Sequence, residues 1–259
     1  MTESTASGDR AARDAAAYDE RQVFEQSTAW HARVFHVLQG ANTLAAEADF
    51  ERMVREKAAG GRVLDIGCGD GTLTRRVVDV DGAVYALGVD VAETALAKAR
   101  ELEVPGRVEF RKHDASRPIE GRFDLIVGRS VLHHIDFREY LLTAYERNLA
   151  SGGRLLFMEP CSHPMTLAFH KIVRSAHTDD EFPLLPRDVQ WLHQTFPQAR
   201  VDPVNLLSFP AGVVSSFVLP SADNWLMRAA DRADRALARR PRLEAYGRQG
   251  IVVIDKPSG

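Results

Sequence analysis

The run Val63-Leu64-Asp65-Ile66-Gly67-Cys68-Gly69-Asp70-Gly71-Thr72-Leu73 constrains this chain more than any other. It reads as a buried strand that breaks into a glycine-rich turn and then enters a helix. Glycine at alternate positions lets the backbone approach a ligand without side-chain interference. The helix that follows turns its free N–H groups toward the same space. A turn of this kind holds a nucleotide-like or amino-acid-like ligand, and Asp65, just ahead of the first glycine, is as informative as the glycines themselves.

Two familiar ligand turns are excluded. The dinucleotide fingerprint G-x-G-x-x-G needs a third glycine for close helix–strand packing. Counted from Gly67 that position is Thr72, and counted from Gly69 it is Thr74. The phosphate-binding loop fails too, because no Lys-Ser or Lys-Thr follows the turn. What remains is D-x-G-x-G-x-G. It resembles the first motif of the class I S-adenosylmethionine-dependent methyltransferases.

That resemblance sets demands further along, and the sequence meets them in order. An apolar run, Ala83–Val89, ends in Asp90. In the family the acid at this place binds both ribose hydroxyls, and charge-assisted hydrogen bonds suit a carboxylate to that task. Val108–His113 leads to Asp114-Ala115, the place of an acid near the adenine edge. Phe123–Val127 runs into Gly128-Arg129-Ser130-Val131-Leu132-His133-His134-Ile135, similar to the fourth motif. Ser151-Gly152-Gly153 precedes a fifth strand, Arg154–Pro160. The resemblance therefore implies S-adenosyl-L-methionine as cofactor, held by Asp65, Gly67, Cys68, Gly69, Asp90, Val91, Asp114, Ala115 and Arg129.

The 259 residues suffice for one α/β domain with attachments, and 45% apolar content supports a full core. A net charge of −3 argues against a nucleic-acid partner. No apolar run approaches the roughly 20 residues of a membrane span, and the polar start Met1–Thr5 lacks the apolar core of a signal peptide. Cys68 and Cys161 are the two cysteines, which fits a reducing cytoplasm and no structural disulfide.

Residues 1–15 are small and polar and are expected to form a disordered tail. Residues 16–259 are expected to form a single domain. From Tyr18 to Lys57 the pattern is helical, with Trp30, Val34, Val37 and Leu38 on one face and Leu44, Phe50 and Met53 more loosely aligned. Alternating strands and helices over 62–160 predict a parallel sheet with helices on both faces. Residues 161–197, with Pro164, Pro183, Pro186 and Pro197, break the alternation and read as a cap after the fifth strand, with a helix near Met165–Arg174. Strands return near Ala199–Leu206 and Gly250–Ile254, separated by a helix from Asp223 to Arg240. Its expected apolar face is Trp225, Leu226, Ala229, Ala233, Ala236 and Leu237. The layout is similar to the α/β, Rossmann-like, seven-stranded methyltransferase sheet, with the last strand antiparallel. In open α/β sheets ligands bind beyond the carboxyl ends of the strands, where strand order reverses.

Methyl transfer from a sulfonium asks the protein for position and electrostatics, because the cofactor carries the reactive group. An oxygen acceptor, and some carbon acceptors, also need a proton removed, for which histidine is the usual base. His133 and His134 are the first candidates, although the Leu-His-His stretch resembles one shared by family members with different substrates, which argues for a structural or cofactor-side role for at least one ring. His170, in the cap, is a third. His177-x-Asp179-x-Glu181 has carboxylates that magnesium accepts, but so tight a cluster reads as a solvated turn, and no metal is expected. Glu159 closes the fifth strand, either at the pocket mouth or on backbone amides. The arginines from Arg228 to Arg242 are interrupted by Asp231 and Asp234 and read as a solvated face. The resulting expectation is a monomeric or homodimeric cytoplasmic methyltransferase acting on a small molecule at oxygen or carbon; the Ala- and Arg-rich usage resembles that of GC-rich bacteria, and the family resemblance implies a secondary metabolite as acceptor. The alternative keeps the fold and the cofactor but performs a non-methylating reaction such as a cyclisation.

Overall fold

The computed structural model describes residues 36–115, 117, 119–172 and 183–259, the side chains of 169–172 excepted. The expected tail, the helical stretch up to residue 35 with Trp30 and Val34, and residues 177–181 of the cap lie outside the described residues.

Seven strands form one sheet in the order β3-β2-β1-β4-β5-β7-β6. They are β1 (Arg62–Ile66), β2 (Tyr85–Asp90), β3 (Val108–Lys112), β4 (Phe123–Arg129), β5 (Leu149–Pro160), β6 (Arg200–Val204) and β7 (Gln249–Asp255). β1 pairs in parallel with β2 and β4, and β2 with β3. The chain thus leaves β1 toward one edge and returns on its other side at β4, which puts the reversal of strand order between β1 and β4. β7 runs antiparallel to β5: Gly152 N–H donates to Pro257 O at 3.2 Å and Lys256 N–H to Gly153 O at 2.9 Å, so the numbering ascends on one side and descends on the other. In β1 four consecutive residues are buried, as are four in β2 and four in β4. Continuous burial of this kind belongs to parallel strands covered on both faces.

By contacts the chain divides into two compact units. The first comprises Arg52–Phe157 and Val253–Gly259 among the described residues. It holds β1 to β4, most of β5, and helices α3 (Thr72–Asp79), α4 (Glu93–Ala99) and α5 (Phe137–Thr143). Asp136 starts α5 by accepting the Glu139 N–H, the N-cap role of a short acid. Phe123, Leu125, Ile126 and Phe157 are fully buried at its centre.

The second unit comprises residues 36–51 and Met158–Val252. It holds α1 (His36–Gln39), the first part of α2 (Ala41–Ala58), α6 (Pro164–Ile172), α7 (Pro186–Thr195), α8 (Ser208–Val218) and α9 (Trp225–Leu237). Pro186 opens α7 at a position where its missing N–H costs nothing, and Asp188 accepts the Leu185 N–H at 3.0 Å. Leu38 and Leu44 are exposed, contrary to the face expected of them, whereas Val37, Phe50 and Met53 are buried as expected.

Two further differences from expectation have a physical cause. α8 was not foreseen: the segment Ser208–Val218 is apolar almost all round and carries Pro210, so it shows neither period clearly. Pro210 sits in the first turn, which a helix tolerates. α9 starts and stops near the expected places but turns a different face inward. Met227, Ala230, Asp231 and Asp234 are its buried residues, while Trp225, Ala229 and Ala236 face out. The carboxylates go inward because backbone groups there need acceptors. Asp234 accepts the N–H groups of Leu206, Leu207 and Ser208 at 3.0, 2.6 and 3.2 Å, the Ser208 hydroxyl at 2.6 Å and the Asn42 amide at 3.0 Å. It caps α8 from outside, as an acid at a helix N-terminus does.

Candidate active site

The glycine-rich turn leaves the end of β1 and is stitched to the end of β2. Gly67 N–H and Cys68 N–H both donate to Val89 O, at 2.8 and 3.1 Å. Gly69 N–H donates to Asp90 Oδ2 at 2.9 Å, and Ala92 N–H donates to Asp90 Oδ1 at 2.9 Å. Each Asp90 oxygen therefore holds one backbone N–H and keeps a lone pair for another donor. Asp90 is half-buried, and Val91 beside it is half-buried too. His113 N–H donates to Asp90 O at 2.9 Å, which ties the segment after β3, with half-buried Asp114 and Ala115, to the same strand end.

The glycines earn their places for more reasons than ligand approach. Gly67 is exposed with φ of 67°, an open backbone surface, but a Cβ there would meet Val131 Cγ2 at 3.0 Å. Gly71, the N-cap of α3 with φ of 80°, has no room on its inner side: the Phe110 ring lies 2.6 Å from where a Cβ would stand. Phe110 and Val131 were not singled out from the sequence, because nothing in their local pattern distinguishes them from ordinary core.

Asp65 lies inside the protein. It is buried beneath the turn, where its Oδ2 accepts the Thr74 hydroxyl at 2.6 Å and so ties β1 to α3. Burial pushes its carboxyl up to about 7, and the Asp90 charge adds to this; Thr74 and Arg129 pull the other way. Thr74, nine residues on, was missed for want of any periodic signal. Cys68 is also buried, and burial with the neighbouring Asp65 and Asp90 charges pushes its thiol far up. It contributes its backbone rather than a reactive sulfur. Neither Cys68 nor Cys161 is in a disulfide.

β4 ends in half-buried Arg129, and Ser130 then takes φ of 52°, an uncommon conformation outside glycine. This sharp turn delivers Val131 and the short 3₁₀ turn Leu132–His134. Leu132 is buried, whereas His133 and His134 are half-buried with ring centroids 4.1 Å apart. Val131 packs both against the Gly67 position and against Gly128, where a Cβ would lie 2.7 Å from its Cγ1. The two histidines are thus carried by a loop braced on the glycine turn.

In the second unit, Glu159 is fully buried instead of lying at an open pocket mouth. His163 is a structural ring: Met165 N–H donates to its Nδ1 at 3.1 Å, so its proton sits on Nε2, which donates to Leu206 O at 2.9 Å. Burial holds its pKa below the usual imidazole value. The side chain of His170, on α6, lies outside the described residues. A separate cleft of about 360 Å³ lies between α7 and the turn Pro241–Tyr246, where His193 Nε2 and Glu244 Oε2 are 2.7 Å apart. None of the residues anticipated as cofactor-binding or catalytic lines it.

The strand order and the glycine turn at the reversal point define a class I methyltransferase fold. The model of the methyltransferase domain family matches residues 38–236, and the chain belongs to that family. It is 28% identical over 102 residues to a ubiquinone biosynthesis O-methyltransferase of Nitrosococcus oceani, covering 38% of this chain and 43% of that one. It is 27% identical over 153 residues to a trans-aconitate 2-methyltransferase of Deinococcus radiodurans, covering 59% and 56%. The chain spans about half the length of the curated relatives it matches. Among solved structures, an S-adenosylmethionine-dependent methyltransferase of Mesorhizobium loti superposes with a TM-score of 0.54 at 18% identity, over 85% of this chain and all of that one. A geranyl diphosphate C-methyltransferase of Streptomyces coelicolor gives 0.54 at 16% identity, over 84% and 80%.

Proposed function

We propose that this chain is an S-adenosyl-L-methionine-dependent methyltransferase that acts on a small organic molecule at oxygen or carbon. The observation that carries the reading is the Asp90 carboxylate. It clamps the glycine turn through Gly69 N–H and keeps one lone pair on each oxygen beside that turn, as two ribose hydroxyls require. Gly67 offers open backbone beside it, and Asp114, Ala115 and Arg129 would complete the cofactor's surroundings. When bound, the cofactor supplies the activated methyl group. The protein's own part is to hold Asp90 and the turn rigid and to present His133 or His134 as proton acceptor. The methyltransferase names of the relatives, on acceptors such as a ubiquinone precursor and trans-aconitate, support a small-molecule acceptor.

Turnover tests the reading. Purified protein, S-adenosylmethionine and a panel of phenolic, carboxylate and prenyl acceptors are followed by S-adenosylhomocysteine release. Release that depends on an acceptor is expected. Substituting the histidine that serves as base, His133→Ala or His134→Ala, lowers kcat by about 10²- to 10⁴-fold with cofactor affinity retained. Consumption of an acceptor without homocysteine-product release contradicts methyl transfer and favours a repurposed fold.

A further inference from the structure

The α8–α9 hairpin has its chemistry inside out. The buried residues of α8 are Ser208, Gly212 and Ser215, while Val214, Phe217 and Val218 are 54%, 69% and 66% exposed. On α9 the acids Asp231 and Asp234 are the buried ones, at 3% and 2% exposure. They do not interrupt the arginines, as the sequence suggested; they are removed from that face altogether. The outward face carries Trp225, 67% exposed, followed at helical spacing by Arg228, Arg232, Arg235 and Arg239, all exposed. Asp223 pairs with Arg228 at 2.6 Å at the very start of the row.

The hairpin is firmly built. Asn224 caps α9 by accepting the Met227 N–H at 2.9 Å, and its amide donates to Ser215 Oγ at 2.6 Å, which fixes the start of α9 against α8. Val218 ends α8 and Trp225 begins α9, so the exposed apolar side chains flank the turn between them. The arginine row leads away from that apolar end along α9, with Arg239 two residues past its last helical position.

We infer that this hairpin docks on an anionic lipid bilayer, with Phe217, Val218 and Trp225 entering the interface and the α9 arginines meeting the headgroups. Exposed apolar side chains beside a cationic row are the pattern of interfacial attachment, and guanidinium groups near an anionic surface are strongly attracted to it. The charge is local, because the whole chain carries −3. A second copy of the chain fits this face poorly: a two-fold interface sets the same patch against itself and opposes arginine rows of like charge. Nucleic acid would use the arginines but leave the aliphatic Val214 and Val218 without a role. The surface attaches and does not insert a span, since no helix among the described residues is long and apolar enough to cross a membrane.

Vesicle co-sedimentation of the full chain tests this. Vesicles of phosphatidylcholine with a third phosphatidylglycerol are compared with pure phosphatidylcholine, at 0.05 and 0.5 M salt. Partition onto the anionic vesicles alone, reduced by salt, is expected. Arg232→Glu with Arg239→Glu weakens it at least about tenfold, since each arginine near such a surface is worth about fivefold. Phe217→Ser with Trp225→Ser weakens it similarly at low salt. All four side chains are exposed, so unchanged thermal melting is expected of both variants and reports an intact fold. Absence of partition, or equal partition by the variants, overturns the proposal. So does salt-sensitive RNA binding without vesicle partition, or a dimer that Phe217→Ser with Trp225→Ser dissociates.

Discussion

Asp65 shows how the strongest sign in the sequence is tied to a partner that the sequence does not point to. Its position ahead of the glycines is legible, but its role depends on Thr74, which comes to it only when α3 folds back on β1. In the folded protein its carboxyl titrates near 7, against a reference value of 3.8. Between those values the folded state holds a proton that the unfolded state releases, so this residue takes stability away as pH rises from about 4 to about 7. Asp65→Asn removes that contribution while keeping an oxygen for the Thr74 hydroxyl. Measured by denaturant midpoints at pH 4 to 8, the variant gains on the wild type as pH rises. A constant difference across that range contradicts the assignment.

At the scale of elements, the strands of the first unit were readable because β1, β2 and β4 are mostly apolar runs punctuated by glycine or acid, and β3 alternates apolar with charged residues ahead of Asp114. β1, β2, β3 and β4 fall within a few residues of their expected limits. The second unit was less readable. α8 hides serines and a glycine, and α9 hides two carboxylates, so in both the apolar pattern points the wrong way. What decides those faces is the need of the α8 N-terminus for an acceptor, a tertiary demand with no local signature. Asp234→Ala tests that account. It leaves the N–H groups of Leu206, Leu207 and Ser208 without their acceptor, and an orphaned buried donor costs about 1–3 kcal/mol. A loss of at least about 3 kcal/mol in urea unfolding is expected, with Asp234→Asn recovering part of it. A loss under about 1 kcal/mol means the cap is dispensable.

For the whole molecule, sequence, fold and family agree on the methyltransferase class, and the agreement rests on the order of strands around β1. The gathering of the strand ends around the glycine turn was legible in the sequence, because a parallel sheet brings those ends together wherever the strands come from in sequence. The acceptor was not, since its side chains answer to a particular substrate and follow no period. Calorimetric titration with S-adenosylmethionine and S-adenosylhomocysteine addresses the central claim most directly. Micromolar binding of both is expected. Asp90→Ala weakens it by about ten- to a hundred-fold, the equivalent of roughly 1.5–3 kcal/mol for a charge-assisted hydrogen bond. Asp90→Asn, which keeps an acceptor for one of the two backbone N–H groups, lies between. Binding of neither ligand, or undiminished binding by Asp90→Ala, would contradict the account.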